Sequence, residues 1–283
     1  MNNPKRHHYV PQLILRRFAD DAGKLFFFDK RRPEDGIKSS TIGNLFVENY
    51  LYSIKEESGD KDATLETELA SLEGAAEKII KKIENATLVN KVPQLSSVEK
   101  KLWDFFFYIQ WKRTPDNFAK IFSEIDFEIT LREAIKDFEQ RLRPLTSEQR
   151  KELENPIVLK RIKHNAKANA IRSDAKDVLD VIGNKGLAII RIGALNKSFI
   201  IGSYPIVKLT LPGRSHLSDP TVEVWFPISP RVAISPAYLR GECRVIPIKS
   251  VAEIRHINVS VAKQSTIIAS KSEKLISSLL KQR

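Results

Sequence analysis

Strand-like segments lie at both ends of this chain, and long helical patterns lie between them. From residue 64 to about residue 183 apolar residues recur every three or four positions, which is the period of an amphipathic helix. From residue 187 onward short β-rich runs alternate with Gly, Pro, Asn and Ser, a texture typical of an antiparallel sheet. An aromatic run at residues 24–29 is also strand-like. The chain therefore predicts an α+β fold, with an antiparallel sheet built from N- and C-terminal segments and a central inserted helical bundle.

We expect one α+β domain over residues 1–283, although a chain of this length also permits two smaller domains. Its parts would be an N-terminal motif with strands (1–55), a helical bundle (64–183), and antiparallel strands with terminal helices (187–283). Within the first part, residues 24–29 and 45–54 are expected to form an antiparallel pair.

Two capping boxes mark helix starts, at Ser96 with Glu99 and at Thr146 with Gln149, where the two side chains bond backbone N–H groups reciprocally. The helix that the first one opens, residues 97–113, is apolar on nearly every side, so we expect it in the core. Further helices are predicted at about 64–85, 116–141, 157–182, 251–262 and 271–282. Strands of the C-terminal part are predicted at 187–192, 198–201, 206–211, 222–226, 232–234 and 244–248.

The net charge of +12 is concentrated at the two ends of the chain. Residues 1–32 hold eight Lys/Arg against three acids, and residues 240–283 hold nine against three, whereas the middle is almost neutral. If the two ends meet in the fold, they form one positive surface of the kind that binds a polyanion, with nucleic acid favoured over membrane. The alternative is that the excess of lysine only keeps the protein soluble.

The composition favours a cytoplasmic protein without a membrane partner. A single cysteine, Cys243, excludes an intramolecular disulfide and a cysteine-rich zinc site. No apolar run approaches the roughly 18 residues needed to span a bilayer, and the first residues lack a signal-peptide core.

Two adjacent histidines, His7 and His8, stand near the start, preceded by Lys5 and Arg6 and followed by Tyr9. In an extended segment neighbouring side chains point to opposite sides, so one imidazole can enter a site while the other bonds a backbone carbonyl. Histidine exchanges protons near neutral pH, which suits a general acid or base. The alternative is that this segment only packs against the sheet and anchors the N-terminus.

Gln110 and Arg113 share one face at the end of the apolar helix, before Pro115. A buried arginine needs partners for its five donors, either an internal carboxylate or an anionic ligand such as a phosphate. Asp29 and Glu48 are the expected internal partners.

Four segments carry a resemblance to a known family. They are His7-His8-Tyr9-Val10-Pro11-Gln12, Gln110-Trp111-Lys112-Arg113-Thr114-Pro115, Phe199-Ile200-Ile201-Gly202-Ser203-Tyr204-Pro205 and Phe226-Pro227-Ile228-Ser229-Pro230-Arg231. The chain resembles the bacterial family known as domain of unknown function 4238, which has no established activity. In that family the segment matching residues 201–205 usually has Asp and Asn where this chain has Ser203 and Tyr204, so a role that needs a carboxylate there, including metal binding, is not expected. The opening is also similar to His-His-x-Val/Ile-Pro starts of HNH-type nucleases.

The leading functional hypothesis is a nucleic-acid-directed, nuclease-like effector of a defence or toxin system. His7 or His8 would be general acid/base with Tyr9 beside them, Arg113, Lys5 and Arg6 would hold phosphate, and Gln110, Ser203 and Tyr204 would contact the substrate. The alternative is a non-enzymatic module that binds nucleic acid or a protein; a small-molecule enzyme would instead need a deep pocket lined by Tyr9, Gln110, Arg113 and Tyr204. No spacing predicts a metal site, no fingerprint specifies a cofactor, and a protein partner or homo-oligomer stays open.

Overall fold

The structure is a computed structural model that describes residues 5–56, 61–62, 64–121, 124–194, 196–211, 214, 216–237 and 239–281. The helices of these residues are α1 Gln12–Phe18, α2 Thr64–Leu88, α3 Ser97–Lys112, α4 Pro115–Ile121, α5 Glu124–Arg141, α6 Ser147–Glu154, α7 Pro156–Arg172, α8 Lys176–Gly183, α9 Val251–Gln264 and α10 Glu273–Leu280. The strands are β1 Arg6–His8, β2 Lys24–Asp29, β3 Lys38–Thr41, β4 Val47–Asn49, β5 Ile54–Lys55, β6 Lys61–Asp62, β7 Gly186–Ile192, β8 Ile201–Gly202, β9 Val207–Leu209, β10 Glu223–Pro227, β11 Val232–Ala237, β12 Cys243–Ile248 and β13 Ile267–Ser270.

The fold is α+β, as predicted, with two larger sheets and two short ribbons in the described part of the chain. One sheet has the order β12-β7-β11-β10-β9 and comes wholly from the C-terminal part. The other has the order β3-β2-β13-β8 and joins strands from both ends of the chain. Neighbouring strands are antiparallel in both sheets except for β7 and β12, which run parallel. The mixed sheet therefore brings residues 24–29 against residues 267–270.

The expected pairing of residues 24–29 with 45–54 is wrong. β2 pairs with β3 on one side and with β13 on the other, while β4 pairs with β1, placing His7 opposite Glu48. The short β13 was missed because four residues between two helices are too few to show a periodicity of their own. Its strand conformation depends on the neighbours β2 and β8, which supply its hydrogen-bond partners.

The helices follow the predicted pattern with two corrections. Both capping boxes are present, at Ser96/Glu99 and at Thr146/Gln149. The helix predicted over 157–182 is two helices, α7 and α8, separated by residues 173–175. The helix predicted over 116–141 covers α4 and α5, and whether it is continuous stays a prediction because residues 122 and 123 lie outside the described residues. The last helix ends at Leu280, two residues short of its predicted end, and residue 282 is also outside the described part.

The apolar helix α3 lies in the core, as its composition predicts. Trp103, Phe106 and Phe107 have exposed fractions of 0–1%, and the rings of all three lie 6.2–6.4 Å from the ring of Phe226 in β10. One contiguous cluster of buried apolar side chains extends from Tyr9 to Leu279. The division into 1–55, 64–183 and 187–283 within one domain stays a prediction. Among the described helices, none is both long and apolar enough to span a bilayer.

Candidate functional site

The short strand β1 places the two histidines in different environments. His7 is fully buried, whereas His8 is half-buried. This is the alternation expected of neighbouring side chains in an extended segment. The ring Nε2 of His8 lies 3.1 Å from the carbonyl oxygen of Ile42, so this nitrogen carries the proton and donates it. Burial lowers the pKa of His8, and the bond to the Ile42 carbonyl opposes that shift only in part.

His7 lies inside a buried polar cluster, which we define as His7, Tyr52, Glu66, Glu73 and Arg113. The backbone N–H of Tyr52 donates to Nδ1 of His7 at 3.0 Å, and the two rings stack with centroids 5.5 Å apart and planes at 20°. Because Nδ1 accepts this bond, the neutral ring carries its proton on Nε2. The Oε2 atom of Glu66 lies 3.7 Å from the same Nδ1.

Arg113 directly follows the last residue of helix α3, and only 1% of its surface is exposed. Its guanidinium donates to Glu73 Oε1 at 2.7 Å and to the carbonyl oxygen of Tyr9 at 3.2 Å. The expected carboxylate partners, Asp29 and Glu48, are wrong, since the partner is Glu73 of α2. The Tyr52 hydroxyl donates to the Arg113 carbonyl oxygen at 3.3 Å, so the cluster joins β1, α2 and α3.

Gln110 is buried one turn before Arg113 on the same helix, with no surface exposed. Neither its amide nitrogen nor its amide oxygen has a hydrogen-bond partner among the described residues. A buried amide without partners costs free energy, so this residue is the least satisfied polar group in the vicinity of the cluster.

Glu66 and Glu73 are the members of the cluster that reach water, with 26% and 23% of their side chains exposed. Burial is the largest influence on the Glu66 carboxyl and raises its pKa, Arg113 lowers it, and Glu73 raises it; the net pKa is about 7. A carboxyl that titrates near neutral pH beside an imidazole can exchange protons under ordinary conditions.

Lys5 and Arg6, expected to hold phosphate, are both exposed. Arg6 donates to the carbonyl oxygen of Gly43 and to Oδ1 of Asn44, both at 2.9 Å. The backbone of Lys5 accepts a bond from the N–H of Tyr50. These contacts hold the N-terminal segment against residues 43–50 and leave the two cationic groups at the surface.

Ser203 lies beside a carboxylate, that of Asp116, although position 203 itself carries no carboxylate. Its hydroxyl donates to Oδ2 of Asp116 in α4 and accepts a bond from the N–H of Ile267 at 2.9 Å. Thr266 donates to the same carboxylate through its hydroxyl at 2.7 Å and its N–H at 2.9 Å. Asp116 therefore ties α4 to the loop before β13, and its oxygens are occupied by these donors.

Tyr204 lies next to this network and contacts the end of α3. The indole N–H of Trp111 donates to its hydroxyl at 2.6 Å, and the Lys120 ammonium lies 4.2 Å from the centre of its ring. Burial raises the pKa of Tyr204 to about 12, so the phenol stays protonated at neutral pH. Tyr9, also expected at the site, is 94% buried, with its ring edge against Phe46.

The histidine motif and the end of α3 thus come together around Tyr52, but His7, Gln110 and Arg113 are sealed from solvent. Their proposed catalytic and phosphate-binding roles stay predictions. A cavity of about 350 Å³ beside Trp111 is lined by none of the four residues expected for a small-molecule pocket. Sequence reasoning missed Glu66, Glu73 and Asp116; the first two stand seven residues apart on α2, a spacing that places them on one helix face.

No group of three His, Cys, Asp or Glu side chains in the described part of the chain is arranged to hold a metal ion. A family model described as "Protein of unknown function (DUF4238)" matches residues 6–274, which is nearly the whole chain. No curated protein and no solved structure matches the chain.

Proposed function

Because the chain belongs to the DUF4238 family, whose description states no activity, we propose a function from its own charges and contacts: it binds nucleic acid through the phosphate backbone. The two basic ends of the chain would form the binding face. In this proposal the histidine motif anchors the N-terminal segment and is not itself the place where the ligand binds.

One observation carries the proposal, the meeting of the two chain ends in the mixed sheet. β2 pairs directly with β13, and α10 packs against both strands. Residues 1–32 and 240–283 together hold eleven of the twelve net positive charges. A positive surface of this kind attracts a polyanion over distances of about 10 Å at ordinary ionic strength.

The test measures how strongly the protein binds labelled single-stranded RNA, single-stranded DNA and duplex DNA at increasing salt concentrations. Fluorescence anisotropy reports the binding. Contacts to phosphates release counterions, so the logarithm of affinity should fall linearly with the logarithm of salt, by about 0.7 to 0.9 for each phosphate contacted. A flat salt profile, or no binding at low salt, would refute the proposal.

A matched pair of variants distinguishes binding by this face from binding that depends only on the net charge of the protein. The test variant neutralises exposed cations near the two ends: Lys24→Gln, Arg32→Gln and Lys281→Gln. The control neutralises exposed lysines of the nearly neutral middle: Lys78→Gln, Lys101→Gln and Lys136→Gln. We expect the test variant to reduce the salt slope by about 2 and the control to leave it unchanged. Equal losses in both variants would show that binding follows total charge and not this face.

Phosphodiester hydrolysis is the second candidate, favoured by the position of Glu66 beside His7. Glu66 is the partly exposed group of the two, and its pKa of about 7 suits a general acid or base. Labelled RNA and DNA would be incubated with and without a divalent cation. Cleavage lost in Glu66→Gln and kept in Glu68→Gln, an exposed neighbour on α2, supports the candidate; no cleavage by the unaltered protein eliminates it. His8→Ala tests the half-buried imidazole in the same assay.

A further inference from the structure

A cavity of about 630 Å³ opens between α9, the start of α10, the segment at residues 196–198 and the turn at residues 230–231. Its volume is that of a site for a small ligand, since such sites typically measure about 300 to 1,000 Å³. The turn belongs to the Phe-Pro-x-Ser-Pro-Arg motif noted in the sequence. None of the residues discussed above as the candidate site lines this cavity.

The lining is strongly cationic. Five Lys or Arg residues contribute to it: Lys197, Arg231, Arg255, Lys271 and Lys274. No acidic side chain is found among the described residues of the lining. Five like charges around one concavity repel one another, and this repulsion is relieved when an anion binds.

The side chains of Arg231 and Arg255 are held by backbone carbonyl groups, which do not neutralise their positive charge. Arg231 donates to the carbonyl oxygen of Ala194 at 2.9 Å, and Arg255 donates to that of Ser278 at 3.2 Å. A carbonyl occupies one N–H of a guanidinium, so further donors of each fork stay available for a ligand. In the described part of the chain neither arginine has a carboxylate partner, and the three lysines make no ion pair.

The rest of the lining combines polar side chains with the apolar side chains of Val251, Ile254, Leu275 and Leu279. Asn258 is buried and bonds both the N–H of Ile200 and the carbonyl oxygen of Ser198, which fixes the segment before β8 against α9. Ser272 caps α10 by accepting a bond from the N–H of Leu275 at 3.3 Å. Lys274 and Leu275 of the first turn of α10 line the cavity. The positive end of the helix dipole there adds to the five charges, and the Glu273 carboxylate of the same turn opposes them.

We propose that this cavity binds a terminal phosphate, carried either by the end of a nucleic-acid strand or by a free nucleotide. A phosphate monoester carries about −1.5 to −2 charges at neutral pH, more than the single charge of a backbone phosphodiester, and so fits a five-cation concavity better. The strand-end form of this proposal rests on the function proposed above; the free-nucleotide form does not.

The first experiment measures small-ligand binding by titration calorimetry with inorganic phosphate, a nucleoside 5′-monophosphate and the same nucleoside without phosphate. We expect the monophosphate to bind at least about tenfold more tightly than the nucleoside, since charge-assisted hydrogen bonds discriminate by that much. The test variant is Lys271→Gln with Lys274→Gln, both exposed. The control is Lys249→Gln with Lys263→Gln, which belong to the same basic end but do not line the cavity.

A loss of about tenfold in monophosphate affinity for the test variant, with little change for the control, supports the proposal. Equal affinities in both variants, or no binding of phosphate and monophosphate, overturn it. Arg231→Lys gives an independent arm, because lysine keeps the charge and loses the fork; a weaker monophosphate affinity with preserved thermal stability supports direct contact.

The second experiment compares oligonucleotides that differ only in a 5′-phosphate or a 5′-hydroxyl. Tighter binding of the phosphorylated strand, abolished in the Lys271/Lys274 variant, supports recognition of strand ends. Salt-dependent binding that ignores the terminal phosphate keeps the proposed function and overturns strand-end recognition. Binding of the monophosphate without binding of either oligonucleotide overturns the proposed function and keeps the cavity as a nucleotide site.

Discussion

Replacing Glu66 by Gln should stabilise the protein at alkaline pH and have little effect at acidic pH. The carboxyl is three-quarters buried, 3.7 Å from His7 Nδ1, and that nitrogen already accepts the N–H of Tyr52. The ring therefore presents no proton to the carboxylate at this position. Arg113 favours the ionised form, but its guanidinium is bonded to Glu73, and the net result is a pKa of about 7.

The sign follows from proton binding. Between the usual pKa of a glutamate, near 4.5, and the folded value of about 7, the folded protein binds more protons than the unfolded chain, so stability falls as pH rises through this window. Each pKa unit corresponds to about 1.4 kcal/mol, which gives about 3 kcal/mol in full, or about 2 kcal/mol after allowance for the exposed part of the side chain. Glutamine cannot ionise and avoids this cost.

The assay is urea unfolding at pH 5 and pH 8, with Glu68→Gln as the control because Glu68 is exposed on the same helix. At pH 8 we expect Glu66→Gln to raise the free energy of unfolding by about 2 kcal/mol, and at pH 5 by less than about 1 kcal/mol. The control should change neither value appreciably. If Glu66→Gln destabilises the protein at pH 8, or shifts it equally at both pH values, the buried-carboxyl explanation is wrong.

Three further substitutions test other parts of the fold by the same unfolding measurement. Gln110→Met removes a buried amide without partners among the described residues and should stabilise by about 1 kcal/mol; a loss of stability would show that the amide is satisfied after all. Arg113→Met leaves Glu73 without its cation and should cost about 3 to 5 kcal/mol, part of which Glu73→Gln should restore in the double variant; additive effects would contradict the pairing. Gly186→Ala should cost about 3 kcal/mol because its Cβ would lie 2.0 Å from a backbone oxygen, whereas Gly183→Ala meets nothing within 4 Å; equal costs would disprove the close approach.

The elements with strong local signals were predictable from the chain. The helix α3 begins at its capping box because Ser96 and Glu99 are three residues apart and satisfy each other's backbone groups. It lies in the core because it is apolar on nearly every side. The fold class followed in the same way, from strand-like runs at both ends of the chain and helical periodicity between them.

The candidate site was predictable only in part. The alternation of side chains in an extended segment separated His7 from His8, and a buried arginine demanded a partner. The sequence pattern could not predict that Glu73 is the partner of Arg113, because Glu73 lies forty residues earlier in the chain. Asp116 likewise reaches Ser203 from a different element.

By itself, then, the sequence determined the capped helices, the α+β class and the concentration of charge at the chain ends, because these depend on neighbours along the chain or on composition. Only the tertiary structure decided that β13 is a strand, that His7 and Arg113 are sealed around Tyr52, and that five cations line one cavity. The physical reason is that burial and pairing of charged groups depend on which distant elements meet, and no local pattern encodes that meeting.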